Sequence, residues 1–157
     1  MSATTKTTTM TPTSPTTAEL HDAPMPVRAR LAAAWTAFMF FYIYVDYLHL
    51  YNPGVVDDIR GGVVFGLDIN QTFVAGSLAL VGIPALMIVL SGALPARTAR
   101  VLNLVVAALY VPVSVFNLAG ESWLVFYGLG ALVEVLLLAY VARSAWTWPR
   151  TSTRTAA

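Results

Sequence analysis

Residues 31–51 read LAAAWTAFMFFYIYVDYLHLY. Over 21 positions the only charged side chain is Asp46, with His49 three residues further on. A helix of about 20 residues, rising ~1.5 Å per residue, covers the ~30 Å hydrocarbon core of a bilayer. Inside that core every backbone polar group has to be paired within the segment, which favours a helix over an open strand. The stretch therefore reads as a membrane-crossing helix.

Three more stretches of the same kind follow, at about 72–94, 101–119 and 123–142. The links 95–100 and 120–122 are short, so the helices they join run antiparallel. The first link, about 52–71, is longer. It opens on Asn52-Pro53-Gly54, a helix stop followed by a turn, and its VVFGLDI run reads as a short interfacial or re-entrant piece. The fold class is all-α: an antiparallel four-transmembrane-helix bundle.

Composition agrees. The chain has 157 residues, 57% hydrophobic and 11% charged, against about 25% charged in soluble domains. The mean hydropathy is +0.69. With no cysteine in the chain, disulfides, thiol catalysis and Cys-ligated metal centres are excluded. No basic cluster interleaved with aromatics speaks for nucleic acid.

Ahead of the first span lies a biased tail. Nine of the first seventeen residues are Thr, and Pro12, Pro15, Pro24 and Pro26 follow. Such a stretch buries too little apolar surface to offset its ordering entropy. Residues 1–26 read as a disordered Thr/Pro-rich tail, 27–149 as the transmembrane domain and 150–157 as a short second tail. The first apolar segment lacks a convincing cleavage site, so it reads as an anchor that stays in the membrane.

Arginine placement sets the expected orientation. Arg28, Arg30, Arg97, Arg100, Arg143, Arg150 and Arg154 fall on one side, against Arg60 alone on the other. That other side carries Asp57, Asp58, Asp68 and Glu121. The chain is expected to be a multi-pass protein of the plasma membrane with both termini cytoplasmic.

The candidate site residues are Tyr42, Asp46, His49, Tyr110, Asn117 and Glu134. Tyr42, Asp46 and His49 share a face of the first span. Asn103, Tyr110, Ser114 and Asn117 form a stripe on the third, running on to Glu121. On the second, Asn70, Ser77, Pro84 and Ser91 recur every seven residues, drifting only ~20° per step. Glu134 sits near mid-depth on the fourth, where an ionisable group costs ~2.5–3.5 kcal/mol on insertion scales and so faces protein or water. It is expected to face the first or third span. Counting depth at ~1.5 Å per residue separates Asp46 from Glu134 by ~10 Å, with Tyr42 between them. The plainer alternatives are a structural clasp for Glu134, an Arg60 partner for Asp46 and an ordinary interfacial histidine at 49. Ala75, Ala79 and Gly82, and likewise Gly128, Gly130 and Ala131, offer faces for close helix approach. No metal-ligand spacing, nucleophile elbow or phosphate loop is present.

The runs MFFYIYVDYLHLYNPG (39–54), IPALMIVLSGALP (83–95), FYGLGALVE (126–134) and AWTWPR (145–150) resemble a group of small bacterial membrane proteins known only as a domain of unknown function. That group is in turn distantly similar to DoxX-like four-helix proteins. The resemblance covers most of residues 28–150 and implies four helices in a membrane. It implies no reaction, cofactor or catalytic residue, but it adds weight to Tyr42, Tyr44, Asp46, Tyr47, Pro53, Pro84 and Glu134.

Three readings of function follow. The first is a membrane protein that binds or conducts a small molecule or protons through a polar seam between helices. The second is a structural or accessory subunit of a membrane complex, as a homo-oligomer or beside another membrane protein. The third is an enzyme acting on a lipid or quinone, with Asp46, His49 and Tyr42 as acid–base groups. No cofactor is expected, and the lipid bilayer is the expected surrounding partner.

Overall fold

A computed structural model of the chain describes residues 23–118 and 123–149. The Thr-rich tail up to residue 22, Glu121, Arg150 and Arg154 lie outside the described residues. Four helices are long and apolar enough to cross a membrane: α1 (Val27–His49), α3 (Gln71–Ala93), α4 (Ala96–Phe116) and α5 (Leu124–Trp146). Between α1 and α3 lie a six-residue helix, α2 (Val55–Arg60), and a tight antiparallel hairpin, β1 (Val63–Val64) and β2 (Leu67–Asp68). The 52–71 link is thus a helical turn plus a hairpin.

The helix boundaries follow local chemistry. Pro26 precedes α1, and its carbonyl accepts from Arg30 N at 3.0 Å. Gly54 at φ 90° makes the turn into α2 that Asn52-Pro53 starts. Asn70 caps α3, its side chain accepting from Phe73 N at 2.9 Å. Pro95 directly precedes α4. The helices nonetheless depart from the sequence boundaries. α1 begins four residues earlier than expected, α4 begins at 96 rather than 101, and α5 runs to 146 rather than 142. Each extension takes arginines into the helix, and two of them, Arg28 of α1 and Arg100 of α4, find carbonyl acceptors on neighbouring helix ends.

Arg28 donates to the carbonyls of Gly92 and Leu94 at 2.5 and 2.7 Å, and its guanidinium lies 5.9 Å from the Trp148 ring. Arg100 donates to Ala145 and Trp146 at 3.2 and 3.4 Å and stacks on Trp146. The N-terminal turn of α1 thus closes the C-terminus of α3, and that of α4 closes α5. Cations at helix C-termini satisfy orphan carbonyls and complement the helix dipole. All four helix ends lie on one side, hereafter the basic end; α2 and the hairpin mark the loop end.

α1 packs along both α3 and α5, and α5 along α4, while the α3–α4 contact is thin. The core fills the basic half. Leu31, Trp35, Phe38, Met87, Leu138 and Val141 are each at most 1% exposed. One polar network crosses it. Trp35 Nε1 donates to Asn103 Oδ1 at 2.7 Å, Ser91 Oγ reaches the same oxygen at 3.1 Å, and Asn103 Nδ2 donates to Ala99 O at 2.8 Å. A satisfied network of this kind ties α1, α3 and α4 in one register.

α3 behaves differently along its length. Pro84, Met87 and Ser91 are buried, yet every residue from 74 to 80 is exposed. Its loop-end half therefore stands away from the bundle.

Candidate functional site

The loop half of the bundle holds the polar residues. Its register is set where α5 crosses α1. Gly130 lies against Val45, so close that a Cβ at 130 would stand 3.1 Å from Val45 Cγ2. One turn higher, His49 Nδ1 meets the Tyr127 hydroxyl. Glycine at 130 is what permits this approach. Counting down both antiparallel helices from these contacts puts Tyr42 level with Glu134, and Asp46 about one turn, ~6 Å, above.

That level differs from the depth count made on sequence, which placed Tyr42 between the two acids. A depth count along each span contains no contact between spans, and the Val45–Gly130 crossing shifts them relative to each other. Side-chain direction closes the remaining gap. A helical side chain leans toward its own N-terminus, so on antiparallel helices Asp46 leans toward the basic end and Glu134 toward the loop end. Asp46 interacts electrostatically with both Glu134 and Tyr42.

Glu134 is 2% exposed and faces both expected neighbours, Ser114 of α4 and Asp46 of α1. Ser114 is the side chain that hydrogen-bonds toward the Glu134 carboxyl, yet Glu134 Oε2 and Ser114 Oγ, like Arg30 Nε and Asn52 Oδ1 elsewhere, have no partner of strict hydrogen-bond geometry among the described residues. Tyr42, 6% exposed, turns its hydroxyl toward Asn117, the C-cap of α4. Asp46 is exposed, and the side chain that acts on it electrostatically is His49 rather than Arg60.

Below this group the rings of Tyr42 and Tyr110 pack on Phe38, with centroids 5.8 and 6.1 Å away, and Trp35 lies edge-on to Phe38 at 5.7 Å. Tyr110 is buried, but its hydroxyl leaves the seam for the Leu80 carbonyl of α3. Pro84 lacks the N–H that would pair with that carbonyl, so Tyr110 has a structural task. On α3 itself, Ser77 is exposed and bonds only to Phe73 O. The seven-residue stripe there enters the bundle only at Pro84 and Ser91.

A second cluster sits above, at the loop end. The Tyr127 hydroxyl accepts from Asn52 Nδ2 at 2.8 Å as well as meeting His49. Phe65, at φ 52°, lays its ring 5.1 Å from the His49 imidazole. The structure thus splits the sequence candidates. Tyr42, Asp46, Asn117 and Glu134 come together with Ser114, whereas His49 joins Asn52, Tyr127 and Phe65, and Tyr110 serves α3. Sequence reasoning missed the roles of Asn52 and Trp35. Pro84, by freeing the carbonyl four residues before it, carried the signal for the Tyr110 bond.

Comparison with known proteins adds a family. The profile of the "Family of unknown function (DUF6326)" matches residues 24–154, and the chain belongs to that family. No curated protein and no solved structure matches it significantly.

Proposed function

We propose that this family member is a bacterial plasma-membrane protein that takes a proton or a small polar solute into the Glu134 seam from the outer face. The arginine bias of the basic end supports placing that end, with both termini, in the cytoplasm.

One observation carries the reading. Of the four buried side-chain polar atoms left without a partner of hydrogen-bond geometry among the described residues (Arg30 Nε, Asn52 Oδ1, Ser114 Oγ and Glu134 Oε2), two lie together at mid-depth: Glu134 and the Ser114 that acts on it, on the side of the exposed Asp46. A buried acceptor left unmatched is expensive, and intramembrane acids mark functional sites by default. The seam is also one-sided. Toward the basic end it stops on Trp35, Phe38, Met87 and Leu138, each at most 1% exposed. In this conformation the protein binds from the loop side, and passage requires that apolar plug to open.

The test is infrared difference spectroscopy on proteoliposomes, with a pH step applied only outside. A carboxyl C=O band that responds to the step and disappears in Glu134→Gln is the expected result. A Glu134 band blind to outside pH, or responsive only to pH inside, removes the reading.

A second reading, assembly with another membrane chain, has its own observation. The loop-end half of α3 is exposed on every side, including its small residues Ala75, Gly76 and Ala79. The native chain has no cysteine, so Ala75→Cys and Ala79→Cys are clean reporters. A disulfide-linked dimer in native membranes supports self-assembly there, and its absence at both positions counts against it.

A further inference from the structure

We infer that the ligand of the Glu134 seam is a small organic ammonium ion, exchanged for a proton between Asp46 and Glu134. This rests on reading the seam as an outward-facing site.

Charge is the first argument. The register set by Val45 and Gly130 puts the Asp46 and Glu134 carboxyl groups about one turn, ~6 Å, apart in height in the loop half, yet every Lys or Arg of the four long helices sits near the basic end: Arg28, Arg30, Arg97, Arg100 and Arg143. Tyr42 and His49 of α1 are the titratable groups that act on the pair, Tyr110 of α4 neighbours Tyr42, and Tyr127 of α5 meets His49. α3 contains none. An acid pair in a low-dielectric setting with no fixed cation is completed by a proton or by a mobile cation.

Donor count is the second. An R–NH3⁺ group carries three N–H donors. Glu134 Oε2 lacks a partner of hydrogen-bond geometry, the Ser114 hydroxyl beside it keeps a lone pair free even when it donates to the carboxyl, and the Asp46 carboxylate would supply the third acceptor. A multivalent metal ion asks for more. Among the described residues no group of three His, Cys, Asp or Glu side chains is placed to hold one.

The floor is the third. The rings of Phe38, Tyr42 and Tyr110 cluster immediately toward the basic end. Aromatic faces attract organic cations, and the attraction grows when water is excluded. An alkyl ammonium matches this floor with its carbon end and the acids with its nitrogen.

The exchange balances. A protonated Glu134 releases H⁺ to the outside as R–NH3⁺ enters, leaving a carboxylate–ammonium pair, and the charge of the seam is unchanged. Protons and ammonium ions therefore compete.

The test is equilibrium binding of radiolabelled methylammonium to the full-length protein in nanodiscs, with radiolabelled methanol as a neutral probe of similar size. Saturable methylammonium binding that weakens at least tenfold in Asp46→Asn and in Glu134→Gln, and falls as pH is lowered, is expected. Ser114→Ala, a milder change, weakens binding several-fold and guards against loss of fold in the acid variants. Failure of methylammonium to bind overturns the proposal. So does binding that is indifferent to both acid substitutions in monodisperse protein, or methanol bound as tightly as methylammonium. In each of these cases the infrared response of Glu134 to outside pH still stands or falls separately, so the ligand class and the outward-facing site are judged apart.

Discussion

Tyr110 donates its hydroxyl to the Leu80 carbonyl at 2.5 Å, across the thin contact between α3 and α4. Leu80 is four residues before Pro84, so its carbonyl has no intrahelical donor. The helix break and its repair lie on different helices. Pro84 is also where α3 passes from the buried half to the exposed one, so this bond holds α3 at the point where it leaves the bundle.

The bond predicts a coupling. Tyr110→Phe costs about 1 kcal/mol, within the range of interhelical hydrogen bonds in membranes. In a Pro84→Ala background, the restored N–H pairs with Leu80 and the same Tyr110→Phe change costs far less. A double-mutant cycle by reversible unfolding in mixed micelles reads the difference. Equal costs in both backgrounds would show that Tyr110 does not serve that carbonyl.

Gly130 makes a steric prediction. A Cβ there would sit 3.1 Å from Val45 Cγ2, tighter than ordinary packing. Gly130→Val adds still more volume and is expected to destabilise by about 1–3 kcal/mol, the usual cost of overpacking. Val45→Ala in the same chain recovers most of that loss by vacating the space. Thermal unfolding of the three variants measures it. A Gly130→Val protein as stable as the parent places the helices further apart than described.

Much of this fold was legible in the residues because lipid imposes so few solutions. Four apolar runs of near-spanning length leave helices as the only open-ended choice, and the arginines sort the ends. Boundaries were harder to read. Arg28 and Arg100 look like loop residues until the carbonyls of Gly92 and Ala145 arrive from other helices to receive them. The site was half legible. Glu134 and Asp46 stand out in any apolar run. Their relative height, however, depends on the Val45–Gly130 crossing, a tertiary contact that no count along one helix contains. His49 shared a face with Asp46 on paper. Its partners Asn52, Tyr127 and Phe65 come from the link, α5 and the hairpin tip, and they draw it to the rim.

The basic half predicts the opposite behaviour from the seam. Asn103 joins Trp35 and Ser91, with its own amide on Ala99. Asn103→Leu leaves the Trp35 indole N–H buried without an acceptor, a loss of about 1–3 kcal/mol. Trp35→Phe combined with Asn103→Leu removes both sides of that bond and is expected to be less damaging than Asn103→Leu alone. Denaturant titration compares the two. If the double variant is the weaker one, the network contributes through packing rather than through hydrogen bonds.

Glu134 gives the sharpest contrast. Its Oε2 is buried without a partner, and Ser114 and Asp46 are the polar groups that act on it. A residue kept for stability would be better replaced by an apolar side chain of similar volume, since exchanging buried charged groups for well-packed hydrophobes is often neutral or stabilising by about 1–4 kcal/mol. Glu134→Met is therefore expected to unfold at a higher temperature than the parent while losing methylammonium binding entirely. Such opposed changes are the signature of a group retained for function against the interest of the fold. Glu134→Gln separates the remaining case. It keeps shape and hydrogen-bonding capacity but cannot ionise, so it stays close to the parent in stability and still fails to bind. Loss of stability in Glu134→Met together with unchanged behaviour in Glu134→Gln would instead make this carboxyl an interhelical clasp, and the seam a structural joint.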